Sequence, residues 1–207
     1  MFANRVDAGR QLAEGLHAYQ EAPATLVLGI PRGGVVVAAE VARELRLPLD
    51  LVFAAKVGAP GNPEYAVGAV TADGELLANP EAGLSAPALA RAAGAAREKL
   101  ASQLRSLRGD RLPLDVTGLT TIVVDDGLAT GLTALAAVLY LRRQGAARIV
   151  LAVPIAAESS ARRLSGEIDE FVAADVSASF FAVGQFYVTF GQTEDAEVRA
   201  LLDAASA

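Results

Sequence analysis

The 207-residue chain has no cysteine and no tryptophan, one histidine and one methionine. Without thiols it can form neither disulfides nor a thiolate metal site. The lone His17, in an N-terminal stretch patterned as a helix, excludes a multi-histidine metal centre and reads as a solvated surface residue. Long hydrophobic runs are also missing. Nothing approaches the ~20 apolar residues that a membrane helix needs. The opening MFANRVDAGRQLAEGL has polar residues where a secretory signal would need its apolar centre. The cytoplasm is the expected location. Positive charge is scarce, with 18 Lys+Arg against 24 Asp+Glu and a net charge of −6. That balance argues against a broad basic surface for nucleic acid. An anionic ligand would need positive potential made locally, from helix N-termini, backbone amides and a few basic side chains. Lysine is rarest among the cations: Lys56 and Lys99 are the only two.

What remains is a chain that is 53% hydrophobic and 20% charged, long enough for one domain with a full core. Short apolar runs alternate with helical patterns. Leu12, Leu16 and Tyr19 share a helical stripe that Asp7 could cap. Thr25–Ile30 suits a buried strand, Leu49–Ala55 a second, Thr120–Val124 a third and Arg148–Val153 a fourth, with another near Ile168–Ala173. Helices are expected after Gly34, from Thr133 to Gln144, and near Ser159–Ser165. Leu89, Ala93, Ala96, Leu100, Leu104 and Leu107 step by three and four, so an amphipathic helix is expected near Ala86–Leu107. Ala66–Thr71 and Glu75–Ala78 could pair across a turn at Asp73-Gly74. Strands separated by helices predict an α/β, Rossmann-like, mostly parallel sheet flanked by helices, with ligands beyond the carboxyl ends of the strands.

Two loops after strands look built for anions. In Gly29-Ile30-Pro31-Arg32-Gly33-Gly34 the glycines would let backbone N–H groups approach a ligand, although a plain tight turn with Arg32 in solvent would look the same. The second is TTIVVDDGLATGLTAL, Thr120 to Leu135. Gly127 to Thr133 precedes a helix, so free N–H donors and threonine hydroxyls could hold a phosphate. It is not a Walker A loop, because Leu132 stands where a lysine is needed. Asp125 and Asp126 come directly before it. Two carboxylates beside a phosphate cradle make sense if the ligand also carries hydroxyls or a cation, as a phosphorylated sugar with magnesium would.

The run Ile122-Val123-Val124-Asp125-Asp126-Gly127-Leu128-Ala129-Thr130-Gly131-Leu132-Thr133 resembles the signature of the type I phosphoribosyltransferases. FANRVDAGRQLAEGL, LGIPRGGVVVAAEVA, KVGAPGNPEYAVGAV and FFAVGQFYVTFGQT extend the resemblance to a bacterial subgroup whose acceptor base is open. The resemblance implies a single domain over 1–207, with a core of roughly 22–72 and 116–175 and a hood or cover from 73–115 and 176–207. It implies that Asp125 and Asp126 take the ribose hydroxyls of phosphoribosyl pyrophosphate and are the candidate magnesium ligands, through water. Gly127, Leu128, Ala129, Thr130, Gly131 and Thr133 would hold the 5-phosphate. Pro31, Arg32, Gly33 and Gly34, around a strained peptide bond, would take the pyrophosphate, joined by Lys56; Asp125, Asp126, Arg32 and Lys56 form the expected catalytic set.

The implied reaction transfers the 5-phosphoribosyl group to a nitrogen of a nucleobase or related heterocycle, with Mg2+ as cofactor and a homodimer as the assembly. A regulator that senses phosphoribosyl pyrophosphate without turnover is the alternative. Ala129 stands where the 6-oxopurine enzymes carry an acid, which argues against hypoxanthine or guanine; Ala55 stands where many members carry a basic residue. VGAPGNPEYAVG is the expected mobile loop, with Glu64 a candidate base. Phe180, Phe181, Phe186, Tyr187 and Phe190 read as hood or interface core, or as a surface for a base. Gln185 and Gln192 are candidate readers of its edge.

Overall fold

In the computed structural model the described residues are 1–109, 111–113 and 115–205, without the side chains of Pro63, Glu64 and Pro80. The side chain of the candidate base Glu64 therefore lies outside the described structure. Five parallel strands, β1 (Thr25–Gly29), β2 (Leu49–Leu51), β6 (Thr120–Val124), β7 (Arg148–Ala157) and β8 (Glu170–Ser177), form one sheet in the order β2-β1-β6-β7-β8. The apolar runs of β1, β6 and β7 do not alternate with polar residues because both of their faces are covered, whereas β8 is a half-exposed edge strand. Val27, Ile122, Val124 and Val150 pack towards α1 (Arg5–Glu14) and α2 (Gly33–Leu45). Leu26, Leu28, Val123 and Leu151 pack towards α4 (Leu132–Arg143) and Leu164 of α5 (Glu158–Leu164).

From β1 the chain crosses to β2 on one side, and β6 lies on the other. The order reverses between β1 and β6, which pair in register from Thr25↔Thr120 to Gly29↔Val124. Both candidate anion loops leave the carboxyl ends of these two strands. They are neighbours at the one place where an open α/β sheet opens a crevice.

A second, antiparallel sheet is made of β3 (Ala54–Ala59), β4 (Asn62–Thr71) and β5 (Leu76–Ala78). The expected strand Leu49–Ala55 is thus divided: β2 ends at Leu51, and Ala54 begins a different sheet, inside the stretch expected as core. The expected mobile loop VGAPGNPEYAVG is a hairpin, closed by a two-residue turn at Pro60-Gly61 with Gly61 at φ +80. The β4–β5 pair closes around Asp73-Gly74 as expected. The inner part of this sheet, away from the hairpin tip, is covered on both faces. Ala55, Val57, Val67 and Val70 share a cluster with Leu89, Ala93, Ala96 and Leu100 of α3 (Ala86–Arg108), whereas Ala54, Ala66 and Ala69 join the α4 cluster.

The C-terminal tail forms α6 (Asp195–Ala205), which buries Val198 and Leu202 against α2 and α3. At the other end Asn4, not Asp7, caps α1. The Asn4 carboxamide accepts from the Asp7 N–H, and the Asp7 carboxylate reaches back to the Ala3 N–H at 2.8 Å. His17 is exposed, in a short 3₁₀ turn after α1.

Candidate active site

Asp125 and Asp126 follow β6 directly, between two helix N-termini. On one side α2 begins at Gly33, and the Pro31–Arg32 peptide before it is cis. A Cβ on Gly33 would overlap Asp126 Oδ2, and one on Gly34 would lie 2.8 Å from Asp125 Oδ1. The glycines of this loop were expected to clear space for a ligand. What they admit is the acid pair itself, pressed against the first turn of α2.

On the other side is the loop 127–131. The Leu128 N–H donates to Ile155 O and the Leu128 carbonyl accepts from Ala157 N, so the loop is laced to β7. The Ala129 carbonyl accepts from the Ser160 hydroxyl, and the Thr130 carbonyl is 3.5 Å from Arg163 Nη1. A trans peptide points its N–H opposite to its C=O. With the carbonyls of 128, 129 and 130 tied to β7 and α5, the amides of Ala129, Thr130 and Gly131 face the other way together. Gly131, at φ +75, then turns the chain into α4. The result is a cup of converging donors at a helix N-terminus, with Ala129 and Thr130 exposed and the Thr133 hydroxyl in the first turn. Leu128 departs from expectation. Its side chain is buried and its N–H is spent on β7, so it supports the cup without donating to it.

The electrostatics of the acid pair are asymmetric. Burial, and then the charge of Asp126, raise Asp125 well above the ordinary carboxylate range. Asp126 is raised too, by burial, but Arg5 opposes the shift. Arg5 Nε lies 2.7 Å from Asp126 Oδ2, with only 13% and 16% of the two side chains exposed. The Asp126 carbonyl accepts from the Tyr187 hydroxyl at 2.6 Å. Burial, together with the nearby Asp126 charge, raises the Tyr187 phenol, so it remains a donor. Tyr187 belongs to the aromatic cluster expected as hood, interface or base surface, and the sequence assigns Arg5 no role; only the fold brings these residues, 61 and 121 positions away, to Asp126.

The expected pyrophosphate cations are less concentrated. Arg32 caps α2 and its guanidinium is 3.5 Å from Asp195 at the start of α6. Lys56 is exposed on β3, in the antiparallel sheet and not at the end of a core strand. Gln185 is occupied by its own loop, accepting from the Phe181 and Ala182 amides and donating to Ser179 O. Gln192 lines a cleft beside Arg5 that the acid pair does not line. Phe180 packs against Phe186 and Tyr187 against Phe190 with tilted rings, while Phe181 is 92% exposed. A cavity of about 450 Å3 lies elsewhere, lined by Phe53, Leu104, Arg108 and Tyr140, and the acid pair is outside it.

A loop of backbone donors, adjoining carboxylates and a second helix N-terminus meet at a switch point of an α/β sheet, the place where such sheets bind their ligands. The family model of the phosphoribosyl transferase domain matches residues 2–186, and the chain belongs to that family. It is 46% identical over 211 residues to Rv0571c of Mycobacterium tuberculosis, a provisionally named phosphoribosyl transferase. That match covers 99% of this chain and 47% of the relative, so the chain spans about half the length of the curated relatives it matches. The crystal structure of TT1426 from Thermus thermophilus shares 43% identity and a TM-score of 0.78, covering 97% of each chain. A Neisseria gonorrhoeae protein, at 14% identity and TM-score 0.51, shares the fold. The sheet of five parallel strands flanked by helices is the type I phosphoribosyltransferase fold, as expected from the sequence.

Proposed function

We propose that the chain transfers the 5-phosphoribosyl group of phosphoribosyl pyrophosphate to a nitrogen of a nucleobase or related heterocycle. The observation that carries this reading is the acid pair seated between two helix N-termini at the β1–β6 switch point. The 127–133 cup takes the 5-phosphate through the amides of Ala129, Thr130 and Gly131 and the hydroxyls of Thr130 and Thr133. Asp125 and Asp126 then meet the ribose hydroxyls. The pyrophosphate lies towards the start of α2, with Arg32 and Lys56 as its cations. Arg32 leaves Asp195 at little cost, since a half-exposed pair at 3.5 Å is worth ~0–1 kcal/mol.

The nitrogen lone pair forms a bond to the anomeric carbon as the bond to the pyrophosphate oxygen breaks. The electron pair leaves with pyrophosphate, and the nucleophile's proton passes to solvent or to a base. Positive charge develops on the sugar ring, where two carboxylates already fixed nearby stabilise it without reorganising. Among the described residues no group of three or more His, Cys, Asp or Glu could hold a metal ion. The donor set fits a magnesium ion that arrives with the pyrophosphate, since Mg2+ keeps several waters and takes only one or two carboxylates. Asp125 and Asp126 would hold it through water, and it would neutralise leaving-group charge.

The cover is formed by the antiparallel sheet, α3 and the segment around 178–191, within a single domain that pairs as a homodimer. The net charge of −6 disfavours nucleic acid as the partner. Incubation with labelled phosphoribosyl pyrophosphate, magnesium and a panel of bases tests the reaction by pyrophosphate release. Tight binding without release from any base would replace it with a sensing role.

A further inference from the structure

Arg5 is tied to the site by four observations. Its Nε donates to Asp126 Oδ2 at 2.7 Å, its Nη1 donates to Gly191 O at 2.7 Å, and its guanidinium lies 4.0 Å over the Phe190 ring. The fourth is steric: a Cβ on Gly33 would come within 2.7 Å of Arg5 Nε, so the loop that meets the acid pair also leaves room for this guanidinium. Three distinct features of one planar group are used at once: an edge donor, a terminal donor and a face. A lysine ammonium offers none of that combination.

We propose that Arg5 is a positioning residue for the ribose-binding carboxylate, holding Asp126 so that only one of its oxygens is left to a sugar hydroxyl. The inference rests on the function proposed above and deepens it. A free aspartate can rotate about χ1 and χ2 and approach a diol in many ways. Here Oδ2 is fastened by Arg5 and the backbone carbonyl by Tyr187. Arg5 is fixed in turn by Phe190 and Gly191, and that segment runs beside the N-terminal residues: Phe2 N donates to Phe186 O and Thr189 N to Ala3 O. Residues from both termini thus set the orientation of a carboxylate in the middle of the chain. The same tie gives Asp126 a cation before any ligand arrives, so a neutral diol can dock against it without first stripping a solvated charge.

The test is calorimetric titration of the full chain with phosphoribosyl pyrophosphate and magnesium. Arg5→Ala should weaken binding about 10- to 100-fold, the scale on which misplaced groups act, with Arg5→Lys intermediate. Guanidinium chloride, well below denaturing concentration, should restore part of the affinity of Arg5→Ala and none to the parent protein, a response that a purely structural role would not give. Unchanged affinity in Arg5→Ala, or a loss that neither guanidinium nor the lysine variant relieves, overturns the proposal. If Arg5→Ala does not fold, Arg5→Lys decides alone: affinity equal to the parent's overturns it, and a loss of about tenfold supports it. Failure of the parent protein to bind the ligand would instead remove the functional reading.

Discussion

Substituting Asp125 and substituting Asp126 should move stability in opposite directions, because among the described residues Asp126 is in direct contact with Arg5 whereas Asp125 feels that charge only from a distance. Burial raises Asp125, so the folded chain holds its proton more tightly than the unfolded chain does. The stability gained from the neutral acid is present at low pH and is lost as pH rises from the ordinary value of 3.8 through the raised one. At neutral pH, which lies above the ordinary value of 3.8, that cost weighs on the folded chain. Asp125→Asn removes it while keeping an oxygen for the Asp126 N–H, so the variant should be more stable at pH 7, on the order of 1 kcal/mol. Its advantage should shrink on acidification, and ligand affinity should fall. Asp126→Ala strands Arg5 in a nearly buried position and should cost about 3 kcal/mol. Denaturant melts at neutral and acid pH measure both, and a destabilised Asp125→Asn at pH 7 would refute the argument. Gly33→Ala tests the packing: its Cβ would overlap Asp126 Oδ2, and about 1–3 kcal/mol of stability should be lost along with ligand affinity.

At the scale of elements, local signals were readable and non-local ones were not. The six-residue stripe from Leu89 to Leu107 predicted α3 nearly to its ends, because helix periodicity is carried by neighbours along the chain. The DDGLATGLT run located the cup for the same reason: strand end, loop and helix start are consecutive. The hairpin β3–β4 was concealed in a Gly- and Pro-rich stretch that reads as a loop, since the burial of its alanines and valines comes from α3 and α4, far along the chain. Arg5 and Tyr187 lie in stretches the resemblance singles out, but their pairing with Asp126 was not legible because it joins residues 121 and 61 positions apart. The position of α3 over the antiparallel sheet suggests a clean test of that element. Gly94 lies mid-helix, its added Cβ would meet nothing within 4 Å, and its φ is not positive. Gly94→Ala should therefore stabilise the protein by ~1 kcal/mol through helix propensity. A thermal midpoint that does not move would mean that α3 is released before the main transition.

For the molecule as a whole, the two sheets are not separate folding units. One cluster runs from Val27 and Ile122 in the parallel sheet through Val57 and Val70 in the antiparallel one to Leu100 on α3, and α6 closes it with Val198. The candidate site draws on the same frame: β1 and β6 supply its loops, β7 and α5 tie back the cup, and residues 2–5 and 186–191 brace Asp126. A ligand that binds only when this frame is intact should shift the entire unfolding transition. At a concentration 100-fold above Kd, binding to the folded state alone contributes ~2.7 kcal/mol. For a chain of this size that corresponds to a rise of roughly 5–10 °C in Tm. Phosphoribosyl pyrophosphate with magnesium should produce that rise in one cooperative step. Ribose 5-phosphate should produce a smaller one, because it fills the cup and meets the acid pair but leaves the start of α2 empty. A scan that splits into two transitions, only one of them moved by ligand, would show that cup and cover melt apart and that the site is not part of the common core.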